Sequence, residues 1–244
     1  MEARVVGVDI GSVALGRFAW AALDVPELSL AGQGSDPETA VQALNTYLTS
    51  GGRAALVLEA PMSVPVPSTD RADGWQALGR ARSGEGNRPW SAGAGAGVLA
   101  TGVAQAAWML GRLAEVAPGT TATTQPDRWA AAHGPRLLLA EALVSGTGKP
   151  VPTASGPHAA DAEAAARALA ERLENLPALA SDVRCAPHRP FNLLAAGAMW
   201  ARLDIRPDEL HMDVSVLRAR PPRPSAGRDD AVRAASADGH VQQE

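Results

Sequence analysis

The stretch Val5-Val6-Gly7-Val8-Asp9-Ile10-Gly11 constrains this chain more than any other. Four β-branched apolar side chains surround one aspartate, and such a run suits a strand buried on both faces. A buried carboxylate is costly unless it is neutralised or meets a cation. Asp9 therefore calls for a partner. A metal ion is one solution, and backbone N–H groups in the turn at Gly11 are the other.

The chain has 244 residues, enough for one large domain or for one domain with an insertion and a tail. Aromatic residues make up only 4% against 46% hydrophobic overall, so alanine and other small side chains must do much of the packing. The net charge of −4 gives no global basic footprint, so a nucleic-acid site would need a local patch or a bridging metal. One cysteine, Cys185, excludes an intrachain disulfide and a multi-cysteine zinc site and leaves a structural or incidental thiol. The start does not read as a signal peptide, because strand residues begin at Val5 and Asp9 interrupts the apolar run. The most apolar window, residues 97–116, is broken by Gln105, Arg112 and Glu115 and reads as an ordinary helix, not a membrane span. The expectation is a cytoplasmic protein.

After Gly11, residues 15–24 and 27–31 read as a second and third strand in an antiparallel meander. Ser35-Asp36-Pro37-Glu38 then offers a cap and an N-terminal proline, and Val41, Leu44, Tyr47 and Leu48 follow at helical spacing. Residues 53–61 form a buried fourth strand that carries Glu59 near its end, as the first strand carries Asp9. Residues 62–96 are rich in Pro, Gly, Ser and Arg and read as an irregular insertion. Within it Gly93 to Gly97 suits a flexible linker or a phosphate cradle before the helix at 97–116. The leucine-rich run 137–144 fits a fifth strand or a helix. Pro157 starts a helix reaching residue 173, along which His158 and Asp161 open an otherwise apolar stripe. A helix at 191–203 and a strand at 213–219 form a C-terminal addition, and the Pro/Arg-rich residues 220–244 read as a disordered tail.

Three motifs carry a resemblance. Val6-Gly7-Val8-Asp9-Ile10-Gly11, Leu58-Glu59-Ala60-Pro61 and His158-Ala159-Ala160-Asp161-Ala162 resemble the acidic motifs of the ribonuclease H-like superfamily, in particular its RuvC-like resolvases and related uncharacterised predicted nucleases. The likeness covers roughly residues 5–173 of a domain spanning 1–219. It implies an α/β fold with a mixed five-stranded sheet, three antiparallel strands then parallel strands, flanked by helices. It further implies a metal-dependent nuclease that hydrolyses phosphodiester bonds in DNA or RNA, with Asp9, Glu59 and Asp161 as catalytic residues. Physics points the same way: carboxylates about 4 Å apart repel by roughly 4 kcal/mol at an effective dielectric of about 20, so an intervening cation is needed. Hard oxygen ligands favour two Mg²⁺ or Mn²⁺ ions, with Asp9 bridging them, Glu59 on one, and Asp161 with His158 on the other. For His158 a local hydrogen bond at the helix start is an equal alternative.

Weaker candidates surround this set. Glu141 could be an extra acid or lie on the solvated face of an edge strand. Lys149 could contact a phosphate or be a plain surface lysine. Arg71, Arg80, Arg82 and Arg88, interleaved with Trp75 and Trp90, suit single-strand or junction contacts, although Asp70, Asp73 and Glu85 nearly cancel their charge. A solvated loop anchored by two tryptophans is the competing reading. A homodimer of the resolvase kind stays open. Gly7-Val8-Asp9-Ile10-Gly11-Ser12 also looks like the first phosphate motif of actin-like and sugar-kinase ATP-binding proteins, but no second Asp-Gly strand motif follows residue 173. A catalytically inactive binding module is the third class.

Overall fold

The computed structural model describes residues 1–70, 74–86 and 89–221, and there the run around Asp9 is strand β1 (Ala3–Asp9). β2 (Ala19–Val25) and β3 (Ser29–Gly34) extend the sheet antiparallel, β2 pairing with β1 and β3 with β2. Helix α1 (Pro37–Thr49) follows, its Asp36 side chain accepting from the Glu38 N–H and Pro37 standing first in the helix. β4 (Ala54–Glu59) then returns parallel to β1.

Past β4 the chain departs from the expected irregular insertion. β5 (Ser63–Val66) pairs antiparallel with a distant β8 (Arg189–Asn192), making a separate two-stranded ribbon. α2 (Gly93–Val116) begins within the Gly/Ala run and not after it, because tertiary packing of the helix outweighs the poor propensity of its glycines. β6 (Ala122–Thr123) and α3 (Pro126–Ala130) come next, two short elements beyond those expected from the sequence. β7 (Leu137–Leu143) is a strand, α4 (Pro157–Ala170) follows it, and α5 (Leu193–Trp200) starts directly after β8. β9 (Val216–Arg218) closes the described chain.

The main sheet therefore has seven strands, not five. Its order is β3-β2-β1-β4-β7-β6, with β9 also on β7, and it mixes antiparallel and parallel pairs between layers of helix. β6 and β9 are only two and three residues long, too short to leave a periodic signal.

Strand parity divides the core. Val6, Val8, Leu56, Leu58 and Leu139 pack toward α1, α2 and α5. Val5, Val57, Leu138 and Ala140 pack toward α4, together with Trp129 of α3. β1 has both faces covered, so its near-continuous apolar run is what a central strand needs. Gly7 has a specific reason. A Cβ there would land on the Ala162 carbonyl oxygen and the Ala166 nitrogen, so the missing side chain lets α4 lie directly against β1. The alanines of α4 serve the same close approach.

α2 needs one correction. With 24 residues and a best-window hydropathy of 1.2 it is long and apolar enough to cross a membrane by length and composition. In the fold its Ala106, Met109, Leu110 and Leu113 enter the core beside Ile10, Leu58 and Met62.

The C-terminal addition is held by buried polar groups. Glu209 accepts from Thr123 Oγ1 at 2.7 Å, from the Thr124 N–H at 2.6 Å and from Arg128 Nη1 at 2.9 Å. Asn192 caps α5 by accepting from the Ala195 N–H and donates to Thr124 Oγ1. The expected disordered tail lies, from residue 222 on, outside the described residues, as do Arg71, Asp73 and Arg88.

Candidate metal centre

Asp9 and Glu59 end two neighbouring parallel strands in direct register. Adjacent strands run about 4.8 Å apart, and both residues follow the parity of Val5 and Val57, so their side chains emerge on the α4 face. Asp161 comes from the second turn of α4, which Gly7 admits against β1. The sequence thus brings the three acids together through one strand pairing and one close helix contact. Asp9, Glu59 and Asp161 each offer an oxygen lying within 4.8 Å of the others, a group that could hold a metal ion.

The electrostatics of this cluster are unfavourable without a cation. At 4.8 Å two carboxylates repel by roughly 3.5 kcal/mol at an effective dielectric of about 20. Burial, reinforced by the charges of Asp9 and Asp161, pushes the Glu59 carboxyl well above the usual range. Burial also raises Asp9, against the lowering effect of its hydrogen bond to His158. Glu59 Oε2 is buried without a hydrogen-bond partner. That orphaned oxygen is the kind of group a hard cation would satisfy.

Two basic side chains border the acids. His158, in the first turn of α4, places Nδ1 2.6 Å from Asp9 Oδ2. Lys149 Nζ donates to Asp161 Oδ2 at 2.8 Å, so it sits on an acid of the cluster. All five residues line one cavity of about 210 Å³ at the C-terminal ends of β1 and β4.

Glu141 lines the same cavity as the three acids and does not lie on a solvated edge. It pairs in register with Leu58, so strand parity turns it to the sheet face opposite Asp9 and Glu59. There it is 1% exposed, because β7 is flanked by β4 on one side and by β6 and β9 on the other and is no edge. Its partner is Arg82, equally buried, whose charge therefore does not belong to a basic surface.

The Arg82 guanidinium uses all five of its N–H donors. Nη1 meets Glu141 Oε2 at 2.7 Å and Ser63 Oγ at 3.2 Å, and Nη2 meets Glu141 Oε1 at 2.7 Å and Glu85 Oε1 at 3.0 Å. Nε donates to Glu85 Oε1 at 3.1 Å. Burial opposes this charge, and the two carboxylates overcome it to hold the Arg82 pKa above its ordinary value. Glu141 also accepts from the Met62 N–H, and Glu85 from the Trp90 N–H, so the cluster fastens the segment after β4 over one wall of the cavity. The sequence signal for it was Arg82 and Glu85 three apart in a stretch otherwise poor in structure.

Arg80 is exposed and lines a separate cavity. Trp75 is exposed, whereas Trp90 is half-buried and donates Nε1–H to the Arg80 carbonyl. Cys185 is buried beside Ser63, and burial pushes its thiol up to about 12, as befits a structural residue. Comparison with protein-family models, curated proteins and solved structures finds nothing that matches this chain.

Proposed function

We propose that this chain is a metal-dependent nuclease of the ribonuclease H-like kind, hydrolysing phosphodiester bonds in DNA or RNA. One observation carries the reading: three acids from β1, β4 and α4 converge within 4.8 Å while Glu59 keeps a buried oxygen unpartnered. Asp9, Glu59 and Asp161 would hold Mg²⁺ or Mn²⁺, and His158 stands beside Asp9. Such ions supply charge neutralisation and Lewis acidity for in-line displacement at phosphorus.

The chain's own residues do the rest. His158 fixes the Asp9 carboxylate through Oδ2 and leaves its ring 41% exposed toward the cavity. Lys149 offsets the charge of Asp161 at the cavity mouth, where an anionic substrate must approach. Ile10, Ala60 and Val98 give the cavity apolar walls that lower the local dielectric and strengthen each of these contacts.

The test is a cleavage panel with Mn²⁺ over branched, RNA–DNA hybrid and single-stranded substrates, comparing wild type with Asp161→Ala. Metal-dependent cutting by wild type and its loss in the variant are expected. No cutting of any substrate by wild type at millimolar Mn²⁺ would sink the assignment.

A further inference from the structure

On the far side of the wall that holds Arg82 lies a groove of different character. Its volume is about 850 Å³, and it runs between residues 74–83 and residues 186–189. Arg80, His188 and Arg189 line it, and none of its described lining residues is acidic. In a chain of net charge −4 such a segregation of basic side chains is the informative feature. Among the described residues, none of these three side chains makes an ion pair or a hydrogen bond.

The groove continues onto the ribbon of β5 and β8. Register pairs Val66 with Arg189 and Val64 with Phe191, so these four side chains share one face. The other face, with Ser63, Pro65 and Asn192, is buried. Phe191 is 40% exposed two residues from Arg189, an aromatic plane beside a guanidinium. Trp75, 69% exposed, sits on the turn that supplies Gly74, Gln76 and Ala77 to the groove. Ser83 and Arg184 exchange backbone hydrogen bonds of 2.9 and 3.0 Å, tying the two walls together, so the groove is built and does not depend on a ligand to form.

We propose that this groove and the outer face of the β5–β8 ribbon bind single-stranded nucleic acid, Arg80 and Arg189 on phosphates and Phe191 under a base. Free cations provide the backbone attraction, and exposed aromatic rings beside them provide stacking that every base can accept. The chain segment 80–85 relates the two sites. Arg80, Ala81 and Ser83 face the groove, whereas Arg82 and Glu85 face the acid cavity, so a strand in the groove lies along the outer wall of the metal centre. The inference deepens the nuclease reading by naming the substrate form it would favour.

Fluorescence anisotropy with labelled 20-nucleotide single strands, in EDTA and low salt, tests the groove apart from the metal centre. Wild type should bind single strands in preference to duplex of equal length and to inorganic polyphosphate. Arg80→Ala/Arg189→Ala should weaken binding at least about ten-fold and reduce the slope of log K against log salt by about 1.4, roughly 0.7 per lost phosphate contact. Phe191→Ala should weaken it about five-fold or more with the salt slope unchanged. Among the described residues Arg80 and Arg189 make no side-chain ion pair or hydrogen bond, and equal melting temperatures would confirm that the variants are intact. Undiminished binding by the double arginine variant, equal affinity for polyphosphate, or no binding by wild type would overturn the inference. If Mn²⁺ still raised the melting temperature in that event, the metal centre would stand without the groove.

Discussion

Asp9 and Glu59 are register partners at the ends of adjacent parallel strands, and their buried carboxyls are both raised above the usual range. For an acid raised in the folded state, the stability it contributes is fully present below its ordinary value, 4.5 for Glu59, and is lost as pH rises through the folded value. Cation-free protein should therefore lose stability from this pair as pH rises above about 4.5. Glu59→Gln removes one of the opposed charges. In EDTA at pH 8 it should raise the melting temperature by roughly 2–4 °C, the shift expected for about 1 kcal/mol in a chain of this size, and flatten the slope with pH. Calorimetry of both proteins from pH 5 to pH 8 checks this, and a lower melting temperature for Glu59→Gln at pH 8 would refute it.

Divalent cations should reverse the same penalty. At about 100 times its dissociation constant a bound ion stabilises by roughly 2.7 kcal/mol. Because the carboxyls must be deprotonated to ligate, the Mg²⁺- or Mn²⁺-induced rise in melting temperature should be larger at pH 8 than at pH 5. Asp9→Asn should remove most of it. An unchanged melting curve on adding millimolar Mn²⁺ to wild type at pH 8 would contradict the metal centre.

The three acids were legible in the sequence because each interrupts a periodic apolar pattern: Asp9 and Glu59 close strand runs and Asp161 opens a helical stripe. Their convergence follows from strand order, which the alternation of strand and helix already suggests. The parity of Glu141 was also readable once β7 was known as a strand, since Leu138 and Ala140 face one side and Glu141 the other. What the sequence does not carry is long-range pairing. β5 meets β8 across more than a hundred residues, and the partner of Arg82 lies on β7, so neither leaves a local trace. Composition made residues 62–96 look irregular because the described part of the span is ordered by a distant strand pairing and a buried ion cluster, not by periodic burial.

That cluster makes Arg82 a stability determinant. Truncating one partner of a buried, fully hydrogen-bonded pair leaves the other charge uncompensated and typically costs 3–5 kcal/mol. Arg82→Ala strands Glu141 and Glu85 together, and denaturant unfolding should show a loss of about 3 kcal/mol or more. Arg82→Lys should not restore it, because an ammonium cannot reproduce contacts to both carboxylates and Ser63 from one planar fork. Recovery of most of the loss in Arg82→Ala/Glu141→Gln would show that the stranded charge, not lost packing, is responsible. Arg82→Lys at wild-type stability would contradict the account.

Gly7 and Gly97 predict opposite responses to the same added methyl group. At Gly7 a Cβ meets the Ala162 carbonyl oxygen and the Ala166 nitrogen and Cα, backbone atoms that cannot rotate aside as a side chain could. Relief requires α4 to move off β1, which carries Asp161 away from Asp9 and Glu59. At Gly97, in the second turn of α2, an added Cβ meets nothing within 4 Å, and alanine is favoured over glycine inside a helix by up to about 1 kcal/mol. Gly97→Ala should thus raise the melting temperature by roughly 2 °C or more, and Gly7→Ala should lower it by at least about 6 °C, corresponding to more than about 2 kcal/mol. Gly7→Ala should also abolish the response to Mn²⁺ even where the protein remains folded, since the third carboxylate has left the cluster. A Gly7→Ala protein with unaltered melting temperature and metal response would show that α4 is not held against β1 as closely as the missing side chain implies.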